Sequence, residues 1–268
     1  MKYWEFYLQP TKYTDDIYHI GAKNAPSWLI KSTDGLILLD TGLPQTLYMI
    51  MKNIADLGFD YRDVKHILHS HGHIDHIGGT RALVELTGAK TYIGAGDADM
   101  VRGVNGLQWT NEFGRPFEEP FEPDVIIHDG GVINIGDKEF LFREIPGHTA
   151  GALAIFFNSV DGGKTYRAGM FGGAGLLSMR YVYLDKYNLS HSIRETFIKS
   201  LDSMMGEKVE VHLGNHLGDN KHAEKLLASH ENGNPFIETE TWRWFLEKRK
   251  AEAIKFFEED EASYKKQD

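Results

Sequence analysis

The stretch HSHGHIDHIGG, residues 69–79, sets four histidines and an aspartate within eight positions and closes on two glycines. The run before it, VKHILHS, reads as a buried strand that ends near Ser70. Beyond that end His71 and His73 alternate along extended chain and project the same way, so one metal ion could take both imidazoles. Asp75 and His76 follow where a tight turn leads into a helix, and face the same cavity from another angle. Gly78 and Gly79 let the backbone approach closely where turn meets helix. A first metal would then have His71 and His73, and a second Asp75 and His76. Each needs a further ligand, because a catalytic zinc keeps typically three protein ligands and one place for water. Two candidates stand after later strands: His148 in PGHTAG and His216 in HLGNHLG.

Composition narrows the chemistry. The 268 residues contain no cysteine, which excludes disulfides, zinc ribbons, iron–sulfur clusters and thiol nucleophiles. Any metal must be held by histidine and carboxylate. Net charge is -10, with acidic residues bunched in PFEEPFEPD and FFEEDEAS. Long-range repulsion makes nucleic acid or an anionic membrane a poor partner; the expected partner is a small-molecule substrate. No apolar run reaches the length of a membrane span. The opening MKYWEFYLQP lacks the apolar core of an export signal. The expected location is cytoplasmic, or periplasmic or secreted if a leader has been trimmed away.

The rest of the chain alternates strand and helix patterns. SWLIKSTDGLILLDTG reads as two strands joined by an Asp34-Gly35 turn. YMIMKNIADLGF is a helix ended by Gly58, and GGTRALVELTG a helix ended by Gly88. Further strands are expected in AKTYIGAG, VIIHDGGVINIGDKEFLFREIPG, ALAIFFNSVDGGKTYRAGMF and KVEVHLGNH, and a helix in SHSIRETFIKSLDSMM. A C-terminal helix is expected at about 239–260, its buried face marked by Trp242, Phe245, Leu246, Ile254, Phe256 and Phe257. Residues 101–123 form a long irregular segment whose Trp109, Phe113, Phe117 and Phe121 either line a groove or fill the space under a loop.

HSHGHIDH matches the HxHxDH signature of the metallo-β-lactamase superfamily, and the later histidines come in its order. NAPSWLIKSTDGLILLDTG, LVELTGAKTYIGAGDADM, PGHTAGALAIFF and NPFIETETW extend the likeness over nearly the whole chain. Together they resemble the third subclass of zinc β-lactamases. That resemblance implies a single α/β domain over 1–268, folded as an αββα four-layer sandwich with the metals at one edge between the sheets. It implies His71, His73 and His148 on one Zn2+ and Asp75, His76 and His216 on the other.

Two departures qualify the substrate. Some relatives carry an aspartate bridging the metals, where YRAGMFGGAG here offers Gly169 and Gly172. The serines that often bind the antibiotic carboxylate in the third subclass are missing from the same stretch. The implied activity is dinuclear zinc hydrolysis, β-lactamase-like, in which two metals about 3.5–4 Å apart activate a shared water. Asp75 is the expected catalytic side chain, holding the second metal and steering or relaying a proton. The alternatives are a lactonase or thioesterase of the same fold, or an iron-containing oxidoreductase.

Other residues take quieter readings. His69 is expected to point away from His71 and serve structure. His66, His128 and His212 are expected to pack or hydrogen-bond, while His19, His191, His222 and His230 look like surface or capping residues. Asp40, in LLDTG, is expected to orient a ligand loop without touching metal. Arg180, Tyr181, Tyr183 and Tyr187 either border the site or belong to a structural loop.

Overall fold

The computed structural model describes residues 2–229, 231 and 233–266. Seven strands form the first sheet in chain order: β1 (Thr11–Lys12), β2 (Ile17–His19), β3 (Trp28–Ser32), β4 (Gly35–Leu39), β5 (Val64–Leu68), β6 (Lys90–Gly94) and β7 (Val125–Ile127). The second sheet runs β12 (Val211–His212), β11 (Lys164–Phe171), β10 (Leu153–Asp161), β9 (Lys138–Glu144), β8 (Val132–Ile135). The helices that cover them include α1 (Leu47–Asp56), α2 (Ile74–Ile77), α3 (Thr80–Thr87), α4 (Ala98–Val101), α5 (Tyr181–Lys186), α6 (Ile193–Ser203), α7 (His222–Leu227) and α8 (Glu240–Tyr264).

Strand periodicity explains the layering. Successive side chains leave opposite faces of a strand, and both faces are buried here. In β4, Ile37 and Leu39 join the core between the sheets, whereas Leu36 and Leu38 pack with Ile50, Ile54 and Leu83 under α1 and α3. In β10, Leu153, Ile155 and Phe157 enter the inter-sheet core, whereas Ala154 and Phe156 pack with Phe197, Trp242 and Phe245 under α6 and α8. Unbroken apolar runs such as LILL and LAIFF are therefore required, since an alternating strand would put polar groups into one core. Helix, sheet, sheet, helix is the four-layer αββα order.

Local signals account for the ends. Gly58 (φ 81°) and Gly88 (φ 67°) take the left-handed backbone that stops α1 and α3. The β3–β4 loop is Thr33-Asp34, one residue earlier than expected, and Gly35 (φ 98°) already pairs with Ser32. On α8, Trp242, Phe245 and Leu246 are buried, and the Trp242 indole N–H donates to the Met204 carbonyl at 3.1 Å. Ile254 departs from the expected face: it is 43% exposed, and Ala253 occupies the inward position beside it.

Two histidines were also misplaced by pattern alone. His19 and His222 are buried, not surface or capping residues. The His19 ring packs edge-on against Trp28, and His222 Nδ1 lies 2.6 Å from the Tyr13 hydroxyl. His191 is exposed beside Asp185, and His230 lies outside the described residues. Among the described residues no helix is long and apolar enough to cross a membrane.

Candidate metal centre

Strand β5 ends at Leu68, and the chain turns through Ser70–His73 into α2. Asp97 fixes that turn from behind: its carboxylate accepts from the Gly72 N–H at 2.8 Å, the Gly151 N–H at 2.7 Å and the Thr149 hydroxyl at 2.6 Å. The β5–α2 turn and the β9–β10 turn, which carries His148, are thereby locked to one side chain. Burial pushes the Asp97 pKa up to about 6 against those three donors. Gly72 is required here, because a Cβ would stand 2.9 Å from that of Met100. His216 arrives from the second sheet, four residues past the end of β12.

Two triads result. His71, His73 and His148 form one, Asp75, His76 and His216 the other, with the ligand atoms of each within 4.8 Å of one another. His148 Nε2 lies 2.9 Å from His73 Nδ1 and 3.2 Å from His71 Nε2. The six side chains line one cleft of about 160 Å³, walled also by Trp109, Phe113, Leu177 and Ser178.

The outer partners fix which nitrogen faces inward. His148 Nδ1 donates to the Gly175 carbonyl at 2.7 Å, His216 Nδ1 to the Asn24 carbonyl at 2.9 Å, and His76 Nδ1 to Asp40 at 2.8 Å. The Ser70 hydroxyl donates to Asp40 at 2.6 Å and so accepts from His71 Nδ1 at 3.0 Å. With these protons committed outward, the inner nitrogens of His71 and His148, both held neutral by burial, carry lone pairs, as metal ligation needs. His76, held beside two carboxylates, would have to give up its inner proton to a metal. Burial and neighbouring histidines hold His71 well below its usual pKa and keep it neutral.

The second triad asks for a cation. His76 Nε2 is buried with no hydrogen-bond partner and stands 3.4 Å from an Asp75 oxygen. Burial disfavours charging His76, yet Asp75 and Asp40 outweigh it and push its pKa up to about 10. Burial likewise opposes the Asp75 carboxylate, but His76, His216 and His73 hold it well below the usual range. Carboxylate, orphaned imidazole nitrogen and a second imidazole make a nitrogen and oxygen donor set suited to zinc.

Asp40 touches neither triad's open face and organises the second from behind, as its place in the sequence suggests. Ser70, Asp97 and Asn215 escaped the sequence reading. The Asn215 amide donates to Ser70 Oγ at 2.9 Å and to Asp40 at 3.2 Å, and accepts from the Gly173 N–H at 2.9 Å. Adjacency to His216 is the only sequence signal for Asn215.

His69 is fully engaged elsewhere, donating to the Tyr92 carbonyl at 2.8 Å and accepting from the Thr80 hydroxyl at 2.7 Å. His66 bonds the Tyr92 hydroxyl at 2.9 Å, His128 is exposed, and His212 is buried beside Trp242. The aromatic segment divides: Phe121 is buried with Ile77, Ile93 and Val101, whereas Trp109 and Phe113 face the cleft. Arg180 and Tyr181 turn toward α8, the Tyr187 hydroxyl donates to Glu112, and Tyr183 stacks on Trp109 with centroids 4.9 Å apart.

In the stretch that lacks serines, Gly173 and Gly175 run close against His148. A Cβ on Gly173 would stand 2.6 Å from the His148 ring, and one on Gly175 2.9 Å from it. The Ser178 hydroxyl lines the cleft and donates to the His148 carbonyl at 2.9 Å.

The structure superposes on BJP-1, a subclass B3 metallo-beta-lactamase of Bradyrhizobium japonicum, with a TM-score of 0.88 and 26% identity, covering 98% of this chain and 99% of that one. A stretch of 159 residues is 24% identical to an acyl-coenzyme A thioesterase of Homo sapiens, and 92 residues are 29% identical to a hydroxyacylglutathione hydrolase of Methylococcus capsulatus. These matches take in 52% and 34% of this chain but only 56% and 28% of the two relatives. The family model described as "Metallo-beta-lactamase superfamily" matches residues 20–216, most of the sequence and every residue of both triads. The chain belongs to the metallo-beta-lactamase superfamily.

Proposed function

We propose that the protein is a zinc-dependent hydrolase that cleaves the C–N, C–O or C–S bond of a small carbonyl compound, with β-lactams as the first class. The observation that carries this reading is the pair of facing triads, His71/His73/His148 and Asp75/His76/His216, lining one cleft. Each triad would hold one Zn2+. Such ions, when bound, supply Lewis-acid polarisation of a carbonyl and a nucleophile drawn from water at neutral pH.

The chain's own groups have narrower tasks. His71, His73 and His148 are neutral donors whose rings are set by Ser70, the turn at Gly72 and the Gly175 carbonyl. Asp75 stays ionised, would help hold the second metal, and is placed to orient a water for attack. Trp109 and Phe113 wall the cleft. Since the triads draw on both sheets, the whole of 1–268 is read as one functional unit.

End-to-end likeness to a subclass B3 enzyme supports β-lactams. Gly173 and Gly175, which leave no serine to receive a substrate carboxylate there, support an ester or thioester instead. A charge-assisted hydrogen bond is worth about 1.5–3 kcal/mol, so its loss weakens β-lactam turnover by roughly ten- to a hundredfold without abolishing it. Zinc-loaded protein should be assayed on a penicillin, a cephalosporin, a carbapenem, a lactone and a thioester. Turnover of none of them would sink the hydrolase reading. Efficient opening of the lactone or thioester with all three antibiotics intact would sink the β-lactam assignment alone.

A further inference from the structure

A second cavity, of about 200 Å³, adjoins the metal-site cleft and shares His73, His148 and Ser178 with it. Its far wall is apolar, built by Met100, Leu107, Leu189 and Ile193, with Tyr183 and Thr196 completing it. Met100 and Leu107 come from the segment after β6, Leu189 and Ile193 from the α5–α6 region. Tyr183 stacks on Trp109, whose ring centroid lies 5.6 Å from that of His73, so the wall of the cavity continues that of the cleft.

Resting on the carbonyl-hydrolase reading but not on β-lactams, the geometry points to this cavity as the subsite for an unbranched apolar acyl arm of the substrate. A carbonyl placed between the triads can send such an arm past His73 and His148, whereas a charged or strongly hydrated arm would lose its water there against a mostly apolar wall. Length follows from volume. A methylene fills about the space of a liquid water, ~30 Å³, so a cavity of about 200 Å³ holds an arm of roughly six carbons.

The test uses zinc-loaded full-length protein and p-nitrophenyl esters from acetyl to decanoyl, with hexanoate binding measured by calorimetry. kcat/KM is expected to rise at least tenfold from acetyl to hexanoyl and to fall again by decanoyl. Thr196→Phe and Leu189→Trp, each checked by melting temperature, should lower the hexanoyl-to-acetyl ratio at least tenfold and weaken hexanoate binding by a similar factor. A flat chain-length profile in the parent overturns the subsite, as does an unchanged ratio in the folded variants. Hexanoate binding that the variants abolish, with no ester, lactone, thioester or β-lactam hydrolysed, upholds the cavity as an apolar-chain site and overturns the hydrolase reading.

Discussion

Asp40 Oδ2 accepts from Nδ1 of His76 at 2.8 Å, and both side chains are buried. The same carboxylate takes the Ser70 N–H, the Ser70 hydroxyl and the Asn215 amide. Asp40 reaches them from a left-handed backbone, φ 62°, which a residue other than glycine adopts at a cost. One buried anion therefore sets a ring of the second triad directly and a ring of the first through Ser70.

Outer partners of metal ligands typically contribute ten- to a hundredfold in metal affinity. Asp40→Asn should therefore weaken zinc binding by about that factor, with a larger effect on Asp75/His76/His216 than on the histidine triad. Competition titration against a chromogenic chelator reads both sites. Two unchanged affinities would show that His76 needs no carboxylate behind it.

Asp75→Asn separates fold from chemistry. The α2 turn rests on backbone bonds such as the Ile77 N–H to the His73 carbonyl at 3.1 Å, which asparagine leaves in place. Melting temperature should shift by no more than a few degrees, while turnover of any accepted substrate falls about a hundredfold or more, as losing a positioned acid–base group does. Full metal content with a near-parental rate would remove Asp75 from the mechanism.

Much of this site was legible because its signals are local. The HxHxDH spacing depends on strand exit and turn geometry, and runs such as LAIFF announce strands buried on both faces. Long-range partners were not legible. Asp97 lies 25 residues from Gly72 and 54 from Gly151, within an ordinary-looking GAGDAD, and only folding joins them. His19 and His222 escape the pattern for the same reason: 203 positions separate them in the sequence, and only their packing on each other, with His19 on Trp28 and His222 on Tyr13, reveals a buried cluster. Ile254 fell outside the face because a strict apolar count ignores the small Ala253 that does the packing.

Acid should unfold the protein partly through buried histidines remote from the metal site. Burial, then the neighbouring His222, lowers the His19 pKa to about 3, and neither ring nitrogen has a partner. The unfolded state binds a proton near the ordinary histidine value of 6.5 that the folded state refuses. His19 thus imposes no penalty above that value, and stability falls as pH drops from 6.5 toward 3. Each unit in that window costs roughly 1.4 kcal/mol. His19→Leu removes the term, so urea midpoints of variant and parent should draw together or cross between pH 7.5 and 5.5. A constant gap across that range would show that His19 does not titrate on unfolding.

Trp109 joins strain to function. Its φ of 73° is left-handed, a conformation costly for a bulky L-residue, while its indole stacks on Tyr183 and stands against His73. Trp109→Gly relieves roughly 1–2 kcal/mol of backbone strain and forfeits about 0.5–1.5 kcal/mol of ring stacking beyond its burial. Trp109→Ala forfeits the ring but keeps most of the strain. The glycine variant should therefore be the more stable of the two in urea, although glycine ordinarily destabilises relative to alanine. Both variants lose the same wall of the cleft, so both should raise KM several-fold with a smaller change in kcat. If alanine proves the more stable, the left-handed backbone at 109 is not a strained feature. If KM is unchanged in both, the indole does not contact substrate.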